Sequence, residues 1–130
     1  MTDKTLSYVL RAIDISKGKV VRKVDNLTAV LVNNHKTVNH QTNGRYVGLY
    51  DYLVLLCNGK KSGIILKCGS VDIHTYVFHN YRNQHIVSRL TGNGFLKELW
   101  PDIESVTCVN REEYERIKHL AEIAGFVLQD

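Results

Sequence analysis

Between Val71 and Ser88 the chain reads VDIHTYVFHNYRNQHIVS and gathers His74, His79, Arg82 and His85 into one short stretch. Asp72–Val77 alternates Ile73, Thr75 and Val77 against Asp72, His74 and Tyr76, the pattern of a half-buried strand. Phe78–Asn83 breaks that alternation as a loop. From Ile86 the apolar spacing turns helical through Val87 and Leu90. A strand that feeds a loop and then opens a helix suits phosphate capture, because the first N–H groups of a helix lack internal partners and its dipole favours an anion. Other reactive side chains are scattered. Cys57, Cys68 and Cys108 form no CxxC pair and read as reduced core thiols. The six histidines show no HxH or HxxxH spacing, so no metal site is expected.

The elements that must position this stretch follow in order. Leu6–Ile15 is expected to be a first strand and Ser16–Lys19 a turn. From Val20 to Gln41 the spacing is ambiguous. Val24, Leu27, Val30 and Leu31 favour a helix over Asn26–Asn34 with Asn26 as N-cap, while TAVLV alone favours a strand; the polar HKTVNHQTNGRYVG that follows reads as loop. Tyr52–Cys57 is a continuous apolar run, as in a strand buried on both faces. Asn58-Gly59 is a strong hairpin signal, and Ser62–Cys68 returns as its second strand. With Asp72–Val77 this makes three successive antiparallel strands. His85–Trp100 then reads as a helix weakened at Gly92 and Gly94 and ended by Trp100-Pro101. Ile103–Val109 is a further strand, which makes a βαβ unit with its strands parallel. Asn110 and Glu113 form a capping box opening a last helix, Gly125 closes it, and Phe126–Leu128 is a terminal strand.

The run Val77 to Ser88 is similar to motif A of the GNAT (N-acetyltransferase) superfamily, roughly V-x-P-x-Y-R continuing into Q/R-x-x-G-x-G/A. Val77, Tyr81 and Arg82 stand where that family has them. His79 replaces the proline, His85 the first glycine and Val87 the second glycine or alanine, and glycine matters there because it lets backbone approach phosphates without a Cβ. Leu120–Phe126 also fits the family's closing frame L-Y-x-x-x-G-F, with Ala121 where the usual general-acid tyrosine stands. The similar parts run from about Tyr52 to Leu128.

This resemblance implies an α/β fold: a GNAT-like mixed, mostly antiparallel sheet flanked by helices, with a βαβ-type C-terminal half. It implies one domain over residues 1–130, with the acceptor-pocket region compressed into about 16–50. The implied activity is transfer of an acyl group from acetyl-CoA, as co-substrate, to an amine. Its pyrophosphate would sit on Val77, Arg82, Asn83, Gln84, His85, Ile86, Val87 and Ser88, mainly through backbone N–H groups, with Arg82 adding a charge-assisted bond. His79, His74 and Asp72 are the candidate bases and Tyr114 the substitute acid. The acceptor site is then open, completed by a partner subunit in a homodimer, or absent. The alternative is a GNAT-like module that has lost catalysis and serves binding or regulation, which the replaced glycines and Ala121 favour.

Composition sets outer bounds. Hydrophobic residues at 44% and charged ones at 23% suit a folded globular chain. The net charge of +4 suits an acidic ligand. A nucleic-acid domain is the third reading, drawing on that charge and on Tyr46, Tyr50 and Tyr81, which could stack on bases; the absence of one dense basic block argues against it. No apolar run approaches a membrane span, so no membrane partner is expected. MTDKTLSYVL lacks the pattern of a signal peptide, so the expected location is the cytoplasm.

Overall fold

The computed structural model describes residues 2–39, 45–67, 72–92, 94–103, 105–106 and 115. Among the described residues the sheet has six strands in sequential order. Strands β1 (Lys19–Val24), β2 (Leu27–Asn39), β3 (Arg45–Cys57), β4 (Lys60–Lys67) and β5 (Asp72–Val77) form an antiparallel meander. Strand β6 (Ser105–Val106) lies parallel to β5, pairing at Asp72 and Ile73. Helix α1 (Asp3–Ala12) packs on one face of the sheet, and the short helices α2 (Ile86–Thr91) and α3 (Phe95–Leu99) pack on the other. The architecture is α/β with a mainly antiparallel sheet, and β5, α2, α3 and β6 form the βαβ unit with parallel strands.

Among the described side chains of β2, β3, β4 and β5, burial is divided between two cores. Val30, Val32, Tyr52, Val54, Ile64 and Tyr76 meet Leu6 and Leu10 of α1. Ala29, Leu53, Leu55, Ile65, Ile73 and Val77 meet Ile86, Leu90 and Leu96 from the opposite side. Because both faces are covered, β5 is not half-buried: Tyr76 is buried along with Ile73 and Val77.

Four expected elements are corrected. Leu6–Ile15 is not a strand but lies mostly in α1, where Leu6, Leu10 and Ile13, at i, i+4 and i+7, are all buried. Thr2 caps this helix by accepting a bond from the Thr5 N–H (3.2 Å). Asn26–Asn34 is not a helix but the turn and first half of β2. Its apolar residues fill both cores, so helical spacing there was a by-product of two-sided burial. The polar segment after it is strand too, over residues 35–39 and 45–48. The expected helix over His85–Trp100 is divided in two, with Gly94 at φ 77 starting α3. The expected closing helix and terminal strand lie outside the described residues, apart from Glu115, which is helical.

The β3–β4 hairpin turns through Asn58 (φ 52) and Gly59 (φ 78), both left-handed as a type I′ turn requires. Ser62 is the extra residue of a bulge between the Leu55–Gly63 and Leu56–Lys61 pairs. Its hydroxyl donates to the Leu55 carbonyl (2.9 Å), and its own carbonyl accepts from Phe78 N–H (3.0 Å).

Helix α1 is fastened at both ends. At its C-terminus the Lys61 ammonium donates to the Leu10 (2.7 Å) and Ile13 (3.1 Å) carbonyls, placing a cation where the helix dipole is negative. Lys61→Met keeps the aliphatic stem and removes the donors. It is expected to cost about 1–3 kcal/mol in urea unfolding, the usual range for charged hydrogen bonds; an unchanged midpoint would mean that packing alone seats the helix.

Candidate functional site

The N-terminal fastening of α1 brings together the titratable groups that could do chemistry. β5 ends at Val77, and residues His79–Gln84 form a 3-10 turn that carries the chain towards α2. The Tyr76 hydroxyl donates to Asp3 Oδ1 at 2.9 Å, and His79 Nδ1 lies 2.8 Å from the same oxygen. The His79 N–H donates to Asp3 Oδ2 at 3.4 Å. The Tyr76 and His79 rings meet edge to face at 6.5 Å, and the Arg82 guanidinium sits 5.1 Å above the Tyr76 ring.

Partial desolvation opposes ionisation of Asp3, but the bonds from His79 and Tyr76 outweigh it and hold the carboxyl below its ordinary value. An ionised Asp3 can only accept, so His79 Nδ1 must carry the proton. The neutral ring then has its lone pair on Nε2. The imidazole is 66% exposed, within reach of a substrate. A carboxylate that fixes one ring nitrogen and leaves the other free is a general-base arrangement. Exposed as it is, the pair contributes little to stability.

The other candidates fall out differently. His74 lies on the α1-facing side of β5, two residues before Tyr76 and so about 7 Å further along the strand. Tyr114 lies outside the described residues, and of Asp72 only the strand backbone is described. Val77, Ile86 and Val87 are buried in the core, so their side chains are not available to a ligand. Arg82 is half-buried and turned back, its Nε donating to the Val77 carbonyl (3.2 Å). Asn83 is exposed, as is Gln84, whose side-chain oxygen accepts from the Cys57 thiol (3.3 Å). His85 is exposed and left-handed (φ 53), and the Ser88 hydroxyl donates to its carbonyl (3.1 Å).

The same end of the sheet holds a second polar group on the α2 side. The buried Cys57 thiol accepts from the Asn26 amide (3.5 Å) and donates to Gln84. Arg89 bonds to Asp25 (3.1 Å) and Asn26 (3.3 Å). These bonds tie the β1–β2 turn, the end of β3 and the loop before α2 together. Among the described residues, no cluster of His, Cys, Asp and Glu is arranged to hold a metal ion, and no helix is long and apolar enough to cross a membrane.

Asp3 is the residue that sequence reasoning missed. It stands 76 positions from His79, and an acid in the first turn of a helix is ordinary capping chemistry, so nothing local marks it. The chain matches no family model, no curated protein and no solved structure.

Proposed function

We propose that this chain transfers an acyl group from an acyl-CoA to an amine, with His79 as the base and Asp3 as the residue that positions it. The observation that carries the reading is the Asp3–His79 pair, with Nδ1 bound to the carboxylate and Nε2 left for substrate. In the step, Nε2 takes a proton from the acceptor amine, the nitrogen attacks the thioester carbonyl, the new C–N bond forms and the C–S bond breaks. The CoA thiolate leaves and takes a proton from an acid. Two further features support the reading. The chain order of three antiparallel strands, loop, helix and parallel strand agrees with the resemblance. The left-handed residue of the loop, His85, falls on the position where the resemblance puts the first glycine, the residue type that takes positive φ without strain.

A second reading, a binding module without catalysis, draws on that same side chain. The His85 Cβ stands where pyrophosphate would need close backbone approach, Arg82 is turned back onto Val77 and Tyr76, and α2 has only six residues.

Calorimetric titration with acetyl-CoA separates the readings. Wild type is expected to bind, and His85→Gly is expected to bind more tightly while gaining up to about 1 kcal/mol of stability from relief of the left-handed strain. Release of CoA thiol in the presence of a primary-amine panel then reports turnover. Binding without turnover supports the module. No heat at millimolar acetyl-CoA with either protein overturns the acyl-transfer reading and leaves the module to bind another partner.

A further inference from the structure

We propose that Arg22 and Lys19 of β1 bind a phosphate group, free or carried on a small ester. The site lies four strands across the sheet from β5, so the inference goes beyond the acyl-transfer reading and does not depend on it.

The observation that carries it is an orphaned donor. Arg22 Nε is buried with no hydrogen-bond partner, and among the described residues it is the one such side-chain atom. The guanidinium sits 5.0 Å above the Phe95 ring. A half-buried arginine on a surface strand could swing into water and solvate all its N–H donors. This one is held against an aromatic face with a donor unsatisfied, and a buried donor without a partner is costly. An anion that accepts from the guanidinium removes that cost when it binds. Turning the planar group about its stem presents Nε and a terminal nitrogen together, the fork from which two phosphate oxygens accept.

The backbone aims Arg22 at this place. β1 pairs Val20 with Val30 and Arg22 with Ala29, which leaves Val21 as the extra residue of a bulge. Without the bulge, strand alternation would turn Arg22 to the face of Val20, on the α1 side. With it, Val21 packs on the α2 and α3 core, and Arg22 reaches Phe95 of that core. Lys19 pairs with Leu31, which packs on the same core, so Lys19 stands on the same face roughly 7 Å before Val21.

The two cations are not neutralised. Among the described residues no carboxylate forms an ion pair with either. β1 reads KVVRKV without an acid, and Asp25, the first acid after it, is taken by Arg89. A phosphate monoester carries about −1.5 to −2 charge at neutral pH and so matches both cations, where a carboxylate would match one. The arginine supplies the fork and the lysine a point charge. The Phe95 ring keeps water from one side of the guanidinium, which strengthens its attraction for an anion.

Calorimetric titration with inorganic phosphate and with glycerol phosphate, each against sodium chloride at equal ionic strength, tests this. Wild type is expected to bind at millimolar concentration or below, and the tighter ligand tells free ion from ester. Arg22→Gln is expected to weaken binding at least about tenfold, the worth of a charged hydrogen bond. Arg22→Lys keeps the charge but loses the fork, and is expected to bind more weakly than wild type. Lys23→Gln makes the same charge change opposite Thr28, on the other face, and is expected to stay within about twofold of wild type. Arg22→Met keeps the stem on Phe95 and removes the orphaned donor, so its urea midpoint without phosphate is expected to equal or exceed that of wild type. The proposal is overturned by no heat beyond the chloride control, by equal losses in Arg22→Gln and Lys23→Gln, or by acetate binding as tightly as phosphate. An Arg22→Met midpoint well below wild type also overturns it, because the guanidinium would then be a structural stack on Phe95.

Discussion

Gly63→Val is expected to be the most destabilising single substitution in the sheet and to lower the urea midpoint sharply. Gly63 sits in β4, paired with Leu55 on one side and Val77 on the other. A Cβ there would lie 2.7 Å from the Tyr76 carbonyl oxygen, 2.9 Å from Val77 Cγ2 and 3.1 Å from Val77 Cα. Two of these three atoms are backbone, held by the β4–β5 ladder, so no side-chain rotation relieves the clash. Overpacking of a core ordinarily costs about 1–3 kcal/mol, and valine adds two methyl groups beyond the Cβ that already collides. The strand pair must separate, and with it the end of β5 that carries Tyr76 and leads to His79. The expected loss is about 4 kcal/mol or more, against a total of about 5–15 kcal/mol for a domain. Gly59→Ala provides the contrast. It meets nothing within 4 Å but has φ +78, so it should cost only about 1–2 kcal/mol of backbone strain. Urea unfolding of the two variants reads both. A Gly63→Val midpoint as high as that of Gly59→Ala would rule out the close β4–β5 approach.

The parts of this fold legible in the sequence are those whose signals are local. Asn58-Gly59 marks its hairpin because both residues accept positive φ, and Trp100-Pro101 ends α3 because the residue before proline avoids helix. The misread segments share another cause. β2 buries Ala29 on one face and Val30 on the other, so its apolar residues run together and mimic helical spacing. The stretch LSYVLRAIDI carries β-branched and aromatic residues, yet Leu6, Leu10 and Ile13 already spell the stripe that α1 buries. The segment after it looked like loop because its sequence shows no apolar alternation. For the candidate site, His79 and Arg82 were visible as residue types in a suggestive order. Asp3 was not, because its role depends on α1 crossing the sheet to reach the end of β5.

That long-range pairing is also where the largest functional effect is expected. His79→Gln preserves a polar side chain but supplies no base, and should lower kcat for acyl transfer by about 100-fold to 10,000-fold, with KM for acetyl-CoA changed little. Asp3→Asn keeps the shape and removes the charge that fixes the ring and favours the imidazolium formed during proton transfer. It should lower kcat by about tenfold, again without moving KM, as a positioning role requires. Asp3 also links stability to pH. Its carboxyl is held below the ordinary value of 3.8, so its contribution is fully present above that pH and is lost as pH falls through the lower folded value. Any difference in Tm between wild type and Asp3→Asn should therefore persist from neutral pH down towards 4 and close below it. A His79→Gln variant that retained the wild-type rate would reduce the pair to a clasp between α1 and the end of β5. In that case the Tm difference would survive while the case for His79 as the base would not, so the two measurements separate the structural role of the pair from the chemical one.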